Sequence, residues 1–317
     1  MVRRSRYAKE KSMGGEGFWK ARFDAYYSIT ETILSAIASG SGEFRMPWHQ
    51  AGSEFWQPRP TNALTGNSYR GVNTIVLWTE AMQRGFEFQC WATYRQWQTL
   101  GAQVKKGERG SVIVFYKKLD PDSSSSEDEE EQSTKRRHVL RASWVFNPAQ
   151  VDGWTAPQLP EKENRVERLD EVEKFIAATK ADIREGGSRA CYSPKGDYIQ
   201  MPLRSSFVGT DSISPTEAFY ATLFHELTHW TGHASRLDRD HSGRYGAESY
   251  AMEELVAEIG AAFLCADLGV SNQPRQDHAQ YMNSWYSLLS KDKKAIFTAA
   301  ARASFATEYL FGLRVTE

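Results

Sequence analysis

The segment His225-Glu226-Leu227-Thr228-His229 constrains this chain more than any other. Residues four apart share one face of a helix, so His225 and His229 can grip a single ion, while Glu226, one step round, can reach a water held there. Two imidazoles, an open coordination position and a nearby carboxylate are the equipment of a zinc hydrolase, with Glu226 as general base. The flanking residues supply the helix. Ser214 is an N-cap, Pro215 takes the first helical position, and Glu217 completes a capping box. Ala218, Phe219, Ala221, Leu223, Phe224, Leu227 and Trp230 then make a largely apolar run, and Gly232 stops it. A helix this apolar is buried, and a buried His-Glu-His cluster without a partner is costly.

A catalytic zinc needs a third protein ligand. The extended metzincin motif would place a histidine where Ser235 stands; His233 comes two positions too early and reads as a polar residue closing the helix end. The other source is a second helix over residues 248–264, ESYAMEELVAEIGAAFL, whose acidic start suits a helix N-terminus. There Glu254 and Glu258 share a face among the small residues Ala251, Ala257, Ala261 and Ala262, which permit close helix approach. The run from Glu254 to Glu258 is similar to the ligand helix of thermolysin-like enzymes, where the first acid binds metal and the second orients a ligand histidine. Glu254 is therefore assigned to the metal and Glu258 to holding a histidine from behind, with the reversed roles left open. Glu253 lies about 100° round the helix and is expected to face solvent. This ligand set favours Zn2+, with Mn2+ and other divalent ions compatible. Residues 197–202 alternate like a short strand ended by Pro202, expected as an edge strand above the histidine helix, where a substrate backbone could pair. His278 and Tyr281, three apart on an expected helix, are candidates for stabilising an oxyanion.

Charge divides the chain. Residues 1–119 hold 17 Lys/Arg against 9 Asp/Glu, a net of +8, whereas the whole chain carries −1. A basic amino-terminal third beside an acidic remainder points to two jobs. At 317 residues two domains are expected. The three cysteines, Cys90, Cys191 and Cys265, lack C-x-x-C spacing and indicate neither a disulfide framework nor a thiolate zinc site. The basic start has no apolar core for a signal peptide, and no run reaches the roughly 18 apolar residues of a membrane span. The expectation is a cytoplasmic protein without a membrane partner.

Helical spacing runs over residues 26–38, and a helix or strand begins at 71–78. Residues 111–116 read as a strand buried on both faces, resumed by a partner over 138–146. Between them, 120–137 (DPDSSSSEDEEEQSTKRR) has almost no apolar content and reads as a disordered insertion. Aromatic and basic residues interleave through this part, notably Trp56, Tyr69, Arg70 and Tyr94, and Lys105, Lys106 and Arg109 crowd a glycine-bounded loop. Rings stack on bases and cations meet phosphates, so these residues are candidates for binding single-stranded DNA without sequence specificity. Each tryptophan taken singly is more often a core residue. The division expected is 1–150 for a DNA-binding domain, 151–165 for a linker rich in proline and charge, and 166–317 for the metal domain, opening with an amphipathic helix over 166–180.

Thr61-Asn62, Tyr69-x-Gly71-x-Asn73, Trp91-x-Thr93-Tyr94-x-Gln96, Leu100-Gly101, Lys106-Gly107-Glu108 and Asn147 together resemble the amino-terminal domain of ArdC-type plasmid antirestriction proteins, shared with TraC-type plasmid primases. HELTHWTGH at 225–233, RL at 236–237, EELVAEIGAAFL at 253–264 and HAQYMNSW at 278–285 resemble the metallopeptidase domain paired with it. The resemblance implies an α+β fold: an α+β single-strand-binding domain, then a mainly helical zincin-like domain with a small sheet. It also implies protection of incoming plasmid DNA from host restriction during conjugation. Two readings of the metal domain stay open. It acts as a peptidase, on a host protein such as a restriction-system component, or it binds metal and serves only structure or partner recognition.

Overall fold

The computed structural model describes residues 23–39, 58–118, 138–155, 165–209, 213–239, 248–270 and 279–315. The acidic insertion, Trp56 and His278 lie outside these residues.

The apolar stripe of Ile29, Ile33 and Ile37 forms α1 (Ala25–Ser39). The short β1 (Thr61–Asn62) leads to α2 (Val72–Arg84), which starts at Gly71 in positive φ, closing the choice between helix and strand. There follow β2 (Cys90–Thr93), α3 (Tyr94–Thr99) capped by Thr93 and Gln96, β3 (Gln103–Val104), β4 (Ser111–Lys118), β5 (His138–Phe146) and β6 (Val151–Asp152). One sheet has the order β1-β2-β5-β4, with β4 and β5 antiparallel from Ser111↔Val145 to Lys118↔His138. β4 is therefore an edge strand: Val114 is buried, but Phe115 is half exposed, so the expectation of burial on both faces fails at its outer end. β6 pairs with β3, so Val151 and Asp152 belong to the first part of the chain.

The second part comprises α4 (Arg165–Thr179), β7 (Asp182–Glu185), β8 (Cys191–Ser193), β9 (Tyr198–Met201), α5 (Pro215–Trp230), α6 (Glu248–Leu268), α7 (Ala279–Lys291) and α8 (Ala295–Gly312). Its sheet has the order β7-β9-β8. The expected edge strand, β9, is thus the central one, and β8 forms the edge on the α5 side. No helix of the described residues is long and apolar enough to cross a membrane.

The two parts share a core. Ile29, Ile33, Ile75 and Trp91 of the first pack into one cluster with Ile259, Phe263, Trp285 and Ala300 of the second. An ion pair crosses the same boundary: the buried Arg59 places Nη2 2.8 Å from Asp267 Oδ2 on α6, and its guanidinium lies over the Phe263 ring. The second part has its own cluster, built from Phe175, Ile199, Phe224, Leu227 and Leu264.

Candidate metal centre

The start of α5 is the capping box read from the sequence. Ser214 Oγ accepts from the Glu217 backbone, and the Glu217 carboxylate accepts from the Ser214 backbone at 3.0 Å. The helix ends at Trp230 with Thr231 as its cap, one residue before Gly232. Thr222 to Trp230 are all buried because α6 covers one side and the β8–β9 hairpin another. Close approach of α6 depends on Gly260: a Cβ there would lie 2.5 Å from Thr228 Cγ2.

That approach brings the carboxylates of α6 onto the histidines of α5. His225 Nε2 and His229 Nε2 stand 3.2 Å apart. Glu254 Oε2 is 3.5 Å from the first and Glu254 Oε1 is 3.7 Å from the second. Ligand atoms of these three residues all lie within 4.8 Å of one another. The back of each imidazole meets a different acid. Glu253 Oε1 lies 3.1 Å from His229 Nδ1, and Glu258 Oε2 lies 3.4 Å from His225 Nδ1. The Glu253 carboxylate in hydrogen-bond contact with His229 Nδ1 keeps the proton there, and Glu258 stands behind His225 Nδ1 without a hydrogen bond, so both Nε2 atoms face Glu254.

The expectation that Glu253 faces solvent was wrong. α6 is packed among α5, α7 and α8, and nearly every residue from Ala251 to Ala266 is buried, so the helix has no wet side at that depth. Glu253 is instead held by Arg239, whose Nη2 lies 2.9 Å from Glu253 Oε1 and donates to the Thr228 carbonyl. Sequence reasoning missed Arg239 entirely; its one signal was a cation shortly after the histidine helix in a chain whose next helix carries three closely spaced acids. Burial pushes the Glu253 and Glu254 carboxyls up, but His229 and Arg239 for the one, and His225 and His229 for the other, bring both down to about 2.

These groups fit a divalent cation. Glu226, Glu253, Glu254 and Glu258 are four buried carboxyl groups, and Arg239 is the buried guanidinium among them. Two imidazole lone pairs and a carboxylate converge among largely buried side chains, and a proton on one nitrogen would satisfy only one of those contacts. Ligands of a tetrahedral ion with bonds of about 2.0–2.1 Å stand about 3.3–3.4 Å apart, close to the His–His separation found. Glu226 is buried alongside. The β8 edge passes it: burial first, and the Glu226 carboxylate second, push the Cys191 thiol up.

Known proteins are similar to this chain in sequence and fold. A family model for a zincin-like metallopeptidase matches residues 170–302, and one for the N-terminal domain of the anti-restriction factor ArdC matches residues 23–146. The solved antirestriction protein ArdC of plasmid R388, in its Mn(II)-bound form, superposes with a TM-score of 0.73 at 37% identity, over 93% of this chain and 99% of that one. The chain belongs to the ArdC antirestriction family. The metal-free form of R388 ArdC gives a TM-score of 0.72 at 38% identity, over 92% and 98% of the two chains. The uncharacterized protein y4eC of Sinorhizobium fredii is 44% identical over 289 residues, 90% of this chain and 91% of its own. Two Escherichia coli DNA primases TraC are 35% and 36% identical over 89% of this chain, which spans only 19% and 26% of their length.

Away from the candidate metal centre, the residues proposed for DNA in this ArdC-family chain differ in exposure and partners. Lys105, Lys106 and Arg109 are exposed on the turn after β3, with Lys105 Nζ donating to the Ala149 carbonyl. Tyr94 is 43% exposed, and Gln103 of β3 donates to its hydroxyl, so it sits on the same side as that turn. Tyr69 and Arg70 have partners within the protein. The Tyr69 hydroxyl donates to the Trp91 carbonyl, and Arg70 pairs with Glu308 on α8 at 3.0 Å. Trp91 and Trp97 are fully buried, and Trp78 nearly so. Tyr281 lies beside Tyr250 on α6, their hydroxyls 3.1 Å apart.

Proposed function

We propose that this chain is an antirestriction protein that binds single-stranded DNA through its amino-terminal part and protects incoming plasmid DNA during conjugation. We further propose that His225, His229 and Glu254 hold a divalent ion, Zn2+ or Mn2+, for a peptidase-like reaction. The observation that carries the metal reading is the convergence of two imidazole Nε2 atoms and Glu254 with a carboxylate behind each ring. It supports Glu254 in front of the imidazoles and Glu258 behind His225. The Mn(II)-bound R388 ArdC, similar over nearly its whole length, supports the same reading. The exposed turn of Lys105, Lys106 and Arg109 beside Tyr94 supports contact with phosphates and a base.

Bound there, a divalent ion activates water and polarises a carbonyl. Glu226 accepts the proton from the attacking water and returns it to the leaving amine. Glu253 and Glu258 hold the rings so that Nε2 remains a lone-pair donor. β8, as the edge strand beside Glu226, offers backbone groups with which an extended peptide can pair.

The test is Glu226→Gln, scored for metal content, peptide hydrolysis and protection of transferred plasmid DNA. Metal retained with hydrolysis and protection both lost supports a protease whose product is protection. Undiminished hydrolysis in the variant refutes the assignment of Glu226. Protection retained without hydrolysis separates antirestriction from the metal site and assigns it to DNA binding.

A further inference from the structure

An aromatic pair borders the exposed turn of Lys105, Lys106 and Arg109. Trp144 of β5 and Phe23, just before α1, stand with ring centroids 5.5 Å apart. They are 47% and 48% exposed, although the same sheet buries Trp91 completely. Side chains directly opposite on paired strands share a face, so Trp144 shares that of Val112, its partner on β4. A Cβ on Gly110 would lie 3.0 Å from Trp144 Cβ, so the indole springs from beside the last residue of the turn. Arg109, Gly110 and Val112 also line a groove of about 570 Å³, bounded on its other side by α1 and α2. Charge is sorted around it. Arg84 Nη1 donates to the Arg109 carbonyl at 2.9 Å, and Arg84 Nη2 pairs with Glu108 at 3.2 Å. Gln150 Nε2 donates to the same two groups, each at 2.9 Å. The turn is thereby pinned, and its one carboxylate is matched by a guanidinium. Among the described residues the side chains of Lys106 and Arg109 meet no carboxylate at ion-pair distance. Tyr94 stands at the start of the turn, through Gln103, and Trp144 at its end, through Gly110. A single strand laid across the turn meets a ring, cations and a second ring in that order.

We propose that Trp144, with Phe23 packed against it, is a stacking platform for an unpaired base of single-stranded DNA whose phosphates lie on Lys105, Lys106 and Arg109. Every base has a flat face, so the platform accepts any sequence, and half-exposed rings beside free cations are what such a strand needs. The proposal rests on the reading of the first part as a single-strand-binding surface, and it adds the residues that take a base.

The experiment uses the full chain and measures dissociation constants for a labelled mixed-sequence oligonucleotide over a range of salt, for wild type, W144A, W144L, W144F, F23A and K106E/R109E. Loss of one stacking ring weakens binding about 5- to 150-fold, and that is the effect expected for W144A. W144L keeps apolar bulk without a ring and should lose as much, whereas W144F should keep most of the affinity. F23A should lose less than W144A, because Phe23 supports the indole. The slope of log affinity against log salt should stay unchanged in W144A and fall in K106E/R109E, since only the latter loses phosphate contacts. On an abasic strand of the same length, W144A and wild type should bind equally. Melting followed in parallel reports the fold. Wild-type affinity in W144A and W144L, with K106E/R109E weakened, overturns the platform alone. A loss in W144A that is as large on the abasic strand would make Trp144 a structural residue and would also overturn it. A wild-type chain that binds no oligonucleotide overturns the single-strand reading itself.

Discussion

Replacing Gly260 by alanine should cost this protein its metal far more than its fold. The added Cβ would stand 2.5 Å from Thr228 Cγ2 and 2.7 Å from Thr228 Oγ1. Carbon contacts relax at about 3.5–4.0 Å, so α5 and α6 must part by about 1 Å or Thr228 must turn. Turning is resisted, because Thr228 is fully buried and its hydroxyl donates to the Phe224 carbonyl at 2.8 Å. Overpacking of this kind costs about 1–3 kcal/mol. Alanine in a helix returns about 1 kcal/mol relative to glycine, so net destabilisation should be about 1 kcal/mol. The site is less forgiving, because metal–ligand distances tolerate only about 0.2 Å, and α5 carries both histidines while α6 carries Glu254. A shift of about 1 Å should lower metal affinity about 100-fold, equivalent to about 2.7 kcal/mol. Chelator competition gives the affinity, and thermal melting with and without metal gives the stability. Thr228→Ala removes both clashing atoms, so G260A/T228A should recover most of the affinity. Wild-type metal binding in G260A alone would refute the claim that contact between these helices sets the site.

Glu253→Gln should weaken metal binding about 10- to 100-fold, measured by the same competition, because His229 loses the charged partner that holds its tautomer. Saturation of the wild-type protein with Mn2+ or Zn2+ at about 100 times the dissociation constant should add about 2.7 kcal/mol to its stability, seen as a rise in melting temperature that chelator abolishes. Asp267 is raised by burial, against the pull of Arg59, from 3.8 to about 6. The folded state therefore holds its proton where the unfolded state has released it, so stability contributed by Asp267 should fall as pH rises from about 4 to about 6. Asp267→Asn should flatten that slope in urea titrations. Reversing Lys105, Lys106 and Arg109 together should weaken binding to an oligonucleotide and reduce the slope of log affinity against log salt by about 2; an unchanged slope would move the DNA surface elsewhere.

Much of the site was legible because it is local. The capping box at Ser214, the apolar run of α5 and the four-residue spacing of His225 and His229 depend on neighbours along the chain. Spacing also put Glu254 and Glu258 on one face, and resemblance to other ligand helices ordered their roles, which the distances to Nε2 and Nδ1 support. Glu253 was misread because a 100° step means solvent only on a helix with a wet side, and α6 is enclosed. Arg239 escaped for a related reason. It reaches Glu253 through a turn of chain whose direction nothing in the spacing specifies.

The first part shows the same limit. Aromatic and basic residues were visible in the sequence, but burial sorts them: Trp91 and Trp97 fill the interior, Arg59 is drawn into an ion pair with Asp267, and Tyr94 remains beside the exposed cations. Charge and motif spacing divided the chain into a basic first part and an acidic remainder. The sequence by itself therefore determined the helices, the candidate metal-ligand residues and the membership of a two-part family. Tertiary structure decided that the two parts share one core, that β8 rather than β9 is the edge beside Glu226, and that each imidazole has its own carboxylate behind it. The physical reason is that hydrogen-bond periodicity and capping act over a few residues. Burial, strand order and the pairing of a buried charge depend on what long-range packing brings alongside.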